Sequence, residues 1–300
     1  MTIANEQLLE RPLFTDYVHH RINFREPNTP WMSKVGMANF SAKLGFKVPA
    51  TLFVLSHGHE LTVDMIGKGC VVKPSDWWST RGVMLLTRNT SPSLKDLLFS
   101  KTLHERLSGR SLSLRNIRSE QDHHRKAYQK KRPGTSPKIV VEELIADEQS
   151  PDIVPFDYKM YAFNGNVKFI VQIDRNVRKP EKPKIAFFSG DFTPLNIEKY
   201  LLPGLRNAQY GVHRQPKCWR ELLDAAHKIS YAISSPFISV DTYASTTGPV
   251  IGELTPTPGG PLFGMWRFQD WYNQELGDAW TQAACDLNAE GRKFDTLAYR

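Results

Sequence analysis

The chain has few cysteines, and their spacing fits neither a metal site nor a disulfide framework. Cys70, Cys218 and Cys285 are the only three in 300 residues, and no Cys-x-x-Cys spacing occurs. Zinc sites and disulfide-stapled scaffolds need closely spaced or paired cysteines, so neither is predicted. An odd number of widely separated cysteines favours a reducing compartment.

Long apolar runs and the familiar nucleotide-binding motifs are also missing. No stretch approaches about 18 consecutive apolar residues, and the first thirty residues lack the basic-then-apolar pattern of a secretory signal. This predicts a soluble, cytoplasmic protein without a membrane span. Neither Gly-x-x-x-x-Gly-Lys-Ser/Thr nor Gly-x-Gly-x-x-Gly occurs, so P-loop and Rossmann folds find no support.

The composition is that of an ordinary globular protein with an excess of positive charge. Hydrophobic residues make up 40% of the chain and charged residues 23%, and the formal net charge is +8. Much of that charge lies in 101–138, where Tyr128 is the only aromatic residue. Nucleic-acid sites usually interleave basic groups with stacking aromatics, so nucleic acid is disfavoured as a partner. We interpret 101–138 as a mobile, solvated segment that meets nucleotide phosphates or a polyanionic substrate.

The pattern along the chain predicts an α+β protein in three parts. Residues 33–44 have apolar positions at helical spacing and end at Gly45, and 51–55 and 69–74 are short apolar runs typical of strands. We divide the chain into an N-terminal helical or linker region (1–50), a small subdomain (51–138) and a large subdomain (139–300).

The large subdomain begins with a predicted strand and a hairpin. Residues 139–145 form a mostly apolar run, and 157–163 and 166–173 flank Asn164-Gly165, a strong signal for a two-residue hairpin turn. A regular ladder across this turn puts the following side chains on one face: Lys159, Tyr161, Lys168 and Ile170.

Two helices are predicted after this hairpin. Residues 219–233 have apolar side chains at helical spacing, and 268–287 form a C-terminal helix. Trp271, Leu276 and Trp280 of the C-terminal helix are expected in the core.

A second hairpin carries the most informative pair of residues. Strands at 238–243 and 250–254, joined by a turn at 245–249, place Asp241 opposite Glu253 on one face. Facing carboxylates repel, and a hard divalent cation with oxygen ligands offsets that repulsion. Thr255 shares this face and can add a neutral oxygen. The alternative is a pair of solvated strand carboxylates, or one carboxylate paired with lysine.

Two further groups could contact a nucleotide. Lys73 ends an apolar strand and is followed by Ser75 in a polar loop, where a lysine can meet a phosphate as a point charge. Glu142 and Glu143 interrupt an apolar strand, where ordinary strand charges are the alternative.

Five segments in order resemble the ATP-grasp family related to teichuronopeptide biosynthesis. They are VVKPS, VVEELI, DYKMYAFNG, SVDTY and GELTPTPGG, within roughly residues 30–262. The resemblance implies an ATP-grasp fold in which ATP lies between two α+β subdomains.

The resemblance also implies roles for individual residues. Lys73 would touch the phosphates, Asp241 and Glu253 would bind magnesium, and Thr255 would stand where asparagine is usual. The hinge strand would hold adenine through its acids and backbone: Glu142, Glu143, Leu144 and Ile145. Lys34 resembles the lysine that begins the helix before the first ATP-contacting region.

The sequence departs from the family at two points. Ser239 stands where relatives commonly carry arginine, and Arg175 is a candidate substitute, a surface arginine being the alternative. The loop after Lys73 is poor in glycine and contains Trp77 and Trp78.

The function implied is an ATP- and magnesium-dependent carboxylate–amine ligase of surface polysaccharide or peptide-polymer synthesis. Lys73 and Lys159 would offset phosphate charge while a substrate carboxylate forms an acylphosphate that an amine then attacks. A kinase that phosphorylates a sugar or another small molecule is the alternative, and a nucleotide-binding regulator without turnover is disfavoured.

Overall fold

The computed structural model describes residues 11–24, 34–76, 81–177 and 181–292. Within these ranges the chain forms two six-stranded sheets with helices packed against them, so the predicted α+β class is confirmed. Trp77 and Trp78 lie outside the described residues.

The first sheet has the strand order β1-β6-β2-β3-β4-β5, and every neighbouring pair is antiparallel. Its strands are β1 Thr51–Leu55, β2 Gly69–Pro74, β3 Met84–Arg88, β4 Leu103–Glu105, β5 Arg110–Leu112 and β6 Ile139–Glu143. Three helices accompany it: α3 Val63–Ile66, α4 Leu94–Leu98 and α5 Leu114–Lys131. A core that includes Val72, Leu86, Ile117 and Val141 covers one face.

The second sheet has the order β10-β9-β8-β7-β11-β12, and only its β9–β10 pair is parallel. Its strands are β7 Asp157–Phe163, β8 Asn166–Asp174, β9 Lys184–Ser189, β10 Gln209–Tyr210, β11 Ile238–Ser245 and β12 Gly248–Thr255. The remaining helices are α1 Phe14–Phe24, α2 Lys34–Lys43, α6 Ile197–Tyr200, α7 Trp219–Ala232, α8 Gly259–Leu262 and α9 Asp270–Ala289.

Strand alternation gives the second sheet two separate cores. Tyr158 and Met160 face a core that α7 covers, whereas Tyr161 on the same strand faces a core with Phe14 of α1 and Trp280 of α9. Lys159 alternates with Tyr158 and Met160, so it lies on the same face as Tyr161.

The first hairpin forms as predicted, but the pairing of residues between its two strands differs from the prediction. Asn164 and Gly165 have positive φ angles of 42° and 87°, as the two-residue turn requires. A bulge between Tyr161 and Ala162 then shifts the ladder, so that Tyr161 pairs with Phe169 and Lys159 with Val171. Lys168 and Ile170 therefore lie on the other face, because a one-residue slip reverses the alternation.

Segment 101–138, which the sequence predicts to be mobile and solvated, has regular structure. It contains β4, β5 and the eighteen-residue helix α5. Ser113 caps α5 by accepting a hydrogen bond from the backbone N–H of Asn116, whose side chain bonds back to Ser113. Ile117 and Gln121 anchor the helix with fully buried side chains.

The boundary between the two sheets lies a few residues after the predicted boundary between the subdomains. Strand β6 lies between β1 and β2 in the first sheet, so a division at 138/139 separates it from the strands it pairs with. The division between the sheets follows Glu143. Helix α1 is likewise part of the second sheet's surroundings, because it packs against α9.

The C-terminal helix is present as α9. Leu276 and Trp280 are each 1% exposed, as expected for core residues, but Trp271 is 45% exposed and its prediction is wrong. The Trp271 indole instead donates to the Lys199 carbonyl at 3.1 Å on the surface.

Candidate functional site

The second hairpin brings Asp241 and Glu253 face to face, as predicted, but by a different route. The loop contains two residues rather than five, with Ser245 paired to Gly248, and a bulge follows at Gly252. Asp241 pairs with Glu253, and Thr242 with Ile251, so Gly252 is the extra residue. The bulge restores the pairing that the shorter turn would have shifted by one position.

Gly252 has no room for a side chain. A Cβ added there would lie 2.5 Å from the Tyr243 ring. We expect Gly252→Ala to lower the free energy of unfolding by about 1–3 kcal/mol through this overlap. Urea unfolding measures the effect. A Tyr243→Ala background removes the ring, so the alanine should cost less there; an equal cost in both backgrounds would contradict the packing explanation.

Charged side chains alternate along the face of the second sheet that carries this pair. Lys159 of β7 lies across from Asp241 and forms ion pairs with Asp241 and, at 3.1 Å, with Asp157. Arg175, just beyond β8, contacts the same Oδ2 atom of Asp157 at 3.0 Å. With Glu253, three carboxylates and two cations converge here, which leaves one negative charge in excess.

Burial and these neighbours shift the ionisation of the cluster. Burial, opposed by Lys159 and aided by the charges of Asp157 and Glu253, raises the pKa of Asp241 to about 7. Burial alone would lower the pKa of Lys159, but Asp157 and Asp241 hold it above its ordinary value. Burial would raise the pKa of Asp157, yet Lys159 and Arg175 keep it below its usual range.

The donor set at this face suits magnesium. Asp241 and Glu253 offer carboxylate oxygens, and Thr255, which pairs with Ser239, presents a hydroxyl on the same face. Mg²⁺ is usually held by one or two carboxylates, with waters and phosphate oxygens completing its shell. Among the described residues no group of three or more His, Cys, Asp or Glu side chains forms a metal cage. A site of two carboxylates completed by a nucleotide agrees with that finding.

A second charged cluster lies on the first sheet. Lys73, near the end of β2, forms an ion pair with Glu142 of β6, and the two side chains are 15% and 10% exposed. Lys34, at the start of α2, donates to the Pro74 carbonyl at 2.8 Å. Lys34 also interacts electrostatically with Lys73, Glu142 and Glu253. It therefore joins the clusters of the two sheets.

The space between the clusters is small. A cavity of about 20 Å³ is lined by residues from α2 and both sheets, among them Lys34, Met37, Thr51, Lys73, Glu142 and Gly252. That volume is on the order of one water molecule. The cavity thus lies where Lys34 and Lys73 approach each other between the two sheets.

Lys34 should make stability depend on alkaline pH. Burial, followed by repulsion from Lys73, lowers its pKa from 10.5 to about 8. Between these pH values the unfolded chain keeps a proton that folded Lys34 has lost, so stability rises with pH. Relative to Lys34→Met, the wild type should gain up to about 3 kcal/mol across this window in urea unfolding. Parallel pH profiles of the two proteins would contradict the shift.

The other predicted nucleotide contacts lie at different places around this cluster. Glu143 points away from Lys73 and contacts Lys47 Nζ at 3.4 Å and the Ala50 N–H. The Ser75 hydroxyl bonds the Asp76 carboxylate and accepts from the Lys138 N–H. Leu144 and Ile145 follow the end of β6, and Ile145 is buried.

Sequence reasoning missed Asp157 as part of the site. It stands two residues before Lys159 on β7, so strand alternation puts both on one face. That spacing could have identified Asp157 from the sequence.

None of the helices in the described ranges has the length and apolar character that a membrane span requires.

Several solved structures resemble the chain at low identity. D-alanine–D-alanine ligase from Bacillus anthracis complexed with ATP is 15% identical, with a TM-score of 0.46 over 87% of this chain and 68% of that one. ATP-grasp ligase PsnB complexed with minimal precursor is 11% identical, with a TM-score of 0.45 over 84% of this chain and 62% of that one. Macrocyclase MdnC from Microcystis aeruginosa, bound with precursor peptide MdnA, is 10% identical, with a TM-score of 0.39 over 92% and 65%. This chain thus spans less than two thirds of PsnB and of MdnC.

The family assignment comes from the sequence itself. No protein of curated function matches the chain. The sequence profile of the TupA-like ATP-grasp family matches residues 46–281, which include both sheets and both charged clusters apart from Lys34. The chain therefore belongs to the TupA-like ATP-grasp family and has the ATP-grasp fold, as the order of its motifs predicted.

Proposed function

We propose that the protein is an ATP- and magnesium-dependent carboxylate–amine ligase that works through an acylphosphate. The observation that carries the proposal is the facing pair of Asp241 and Glu253, with Lys159 beside it and Lys34 linking it to Lys73. Carboxylates and lysines arranged in this way suit a nucleoside triphosphate bound with a divalent cation. The family membership favours the same reading.

In this proposal the chain's own residues bind and orient the reactants. Asp241 and Glu253, with Thr255 as a neutral oxygen, would hold magnesium, which when bound offsets the charge of the phosphate oxygens. Lys73 of the first sheet and Lys34 of α2 would contact the phosphates, and Lys159 would do so from the second sheet. Transfer of the γ-phosphoryl group to a substrate carboxylate then gives an acylphosphate, and an amine displaces phosphate to form the amide.

Nucleotide entry requires the two clusters to separate. The cavity between them measures about 20 Å³, whereas small-molecule sites are typically on the order of 300 Å³ or more. Lys34, the first residue of α2, bridges toward the first sheet through its hydrogen bond to the Pro74 carbonyl, so this contact is one that has to change. We propose that the adenine is held by the backbone of Leu144 and Ile145 and by the acids Glu142 and Glu143.

The acceptor is proposed to be a saccharide or another small molecule that carries a carboxylate, in polysaccharide or peptide-polymer synthesis. Arg175 lies on the active face and is a candidate to attract this anion, although Asp157 neutralises part of its charge. The requirement for ATP favours a cytoplasmic location.

A phosphotransferase that acts on a hydroxyl is the second candidate. The observation that favours it is Ser239, a buried residue whose hydroxyl donates to Asp241 Oδ1 at 3.0 Å. A serine here cannot offset the oxyanion of an acyl transfer as an arginine would.

Product analysis separates the two candidates. The purified protein is incubated with ATP, magnesium, and a panel of uronic acids, amino acids and amines, and the products are identified by mass spectrometry. The ligase gives an amide together with ADP and free phosphate, whereas a kinase gives a phosphorylated acceptor and ADP. Release of no phosphate above background with any pair of substrates would count against the ligase.

A further inference from the structure

Asp157 is as deeply buried as Asp241 on the same face of the second sheet, and the proposed binding of magnesium and nucleotide does not use it. It is 3% exposed, begins β7 and pairs across the ladder with Tyr243 of β11. One oxygen, Oδ2, contacts both Lys159 Nζ and Arg175 Nη1, at 3.1 and 3.0 Å. A single carboxylate oxygen thus fixes two cations that arrive from different strands.

The second oxygen of Asp157 makes this arrangement costly. Asp157 Oδ1 is buried and has no hydrogen-bond partner among the described residues. Leaving a buried acceptor unsatisfied costs about 1–3 kcal/mol, and more for a charged group. An asparagine of the same shape would leave Lys159 and Arg175 without the counter-charge that they share, so the aspartate both stabilises and orients the two cations.

The contacts of Lys159 indicate what the charge does. Its ammonium lies between Asp157 and Asp241, and Ser239 occupies the other oxygen of Asp241 with a hydrogen bond of 3.0 Å. The contact of Lys159 with Asp241 is the shorter of its two ion pairs, so Asp157 shares the ammonium rather than holding it alone. Without Asp157, Lys159 would pair with Asp241 alone, and Arg175 would lose its own counter-charge beside Asp241 and Glu253. Both cations would then compete with a metal ion for the same oxygens.

We propose that Asp157 is a positioning residue that holds Arg175 and shares Lys159 with Asp241, which weakens the hold of Lys159 on Asp241 and lets magnesium displace it. It touches neither metal nor nucleotide and acts through the two cations. The inference rests on the proposed magnesium–nucleotide site. It predicts that loss of the Asp157 charge weakens magnesium binding in a way that depends on Lys159.

The test measures how much magnesium is needed for binding of a non-hydrolysable ATP analogue, by calorimetry at fixed nucleotide. We expect Asp157→Asn to raise the midpoint magnesium concentration about tenfold, and by no more than about twofold in a Lys159→Met background, because contacting residues are coupled. Glu105→Gln is the matched control: Glu105 is also 3% exposed but bonds Leu85 and the 107–108 turn. It should leave the midpoint unchanged.

Arg175→Gln provides a variant with the opposite sign, which keeps the inference testable should Asp157→Asn fail to fold. Removing Arg175 leaves Asp157 free to hold Lys159 more firmly, so the magnesium midpoint should fall. A rise with Arg175→Gln, an unchanged midpoint with Asp157→Asn, or equal shifts with and without Lys159 would overturn the inference. Failure of the wild type to bind the analogue at any magnesium concentration would overturn the proposed function together with it.

Discussion

Glu253→Gln is expected to abolish magnesium-dependent ATP binding and to reduce turnover by at least about 100-fold. The amide keeps the size of the side chain and one oxygen but loses the charge that a hard cation needs. Asp241 alone does not compensate, because it supplies one carboxylate whose charge Lys159 already partly offsets. Calorimetric titration of ATP with and without magnesium, on wild type and variant, measures the loss.

The same substitution should leave the fold intact or improve it. Glu253 is exposed and faces Asp241 directly, so removing its charge relieves a like-charge pair worth about 0.2–1 kcal/mol. A gain or no change in urea stability, together with the loss of binding, would identify Glu253 as a functional residue. Glu221→Gln is the matched control, an equal change at an exposed glutamate on α7. Retained magnesium-dependent binding in Glu253→Gln would mean that the metal lies elsewhere.

The facing carboxylates show why part of the site could be predicted from sequence. Strand alternation is local, so Asp241 and Glu253 could be placed on one face from their spacing and a turn. The turn was wrong by three residues, and the bulge at Gly252 compensated for it. In the first hairpin the same assumption of a regular ladder failed, because the bulge at Tyr161 had no compensating error.

Contacts between separate elements could not be predicted in this way. Lys34 comes near Lys73, Glu142 and Glu253 because α2 packs against β12 and the Lys34 side chain reaches Pro74 of β2, which no local pattern specifies. The adjacent acids Glu142 and Glu143 looked equivalent, yet alternation sends one to Lys73 and the other to Lys47. Helix α5 was missed because two buried anchors, Ile117 and Gln121, gave too weak an apolar stripe in a basic sequence.

Lys73→Met is expected to reduce ATP affinity by about 10- to 100-fold, since removing a charge-assisted contact to phosphate costs about 1.5–3 kcal/mol. It should also destabilise the protein, because Glu142 is 10% exposed and would lose its ion-pair partner. Lys34 remains close enough to offset part of that loss. We expect a decrease of about 1–3 kcal/mol in the free energy of unfolding, measured in urea at neutral pH.

The double variant Lys73→Met/Glu142→Gln separates the two effects. Neutralising Glu142 removes the unpaired buried charge, so stability should return most of the way to that of the wild type while ATP affinity stays low. Lys47→Met serves as the control. Its partner Glu143 lies on β6 beside Glu142, but both side chains of the Lys47–Glu143 pair are more than a third exposed, so this pair contributes little to stability. If the double variant regained ATP affinity along with stability, Lys73 would be a structural partner of Glu142 rather than a phosphate ligand, and the nucleotide would have to be held from the second sheet alone.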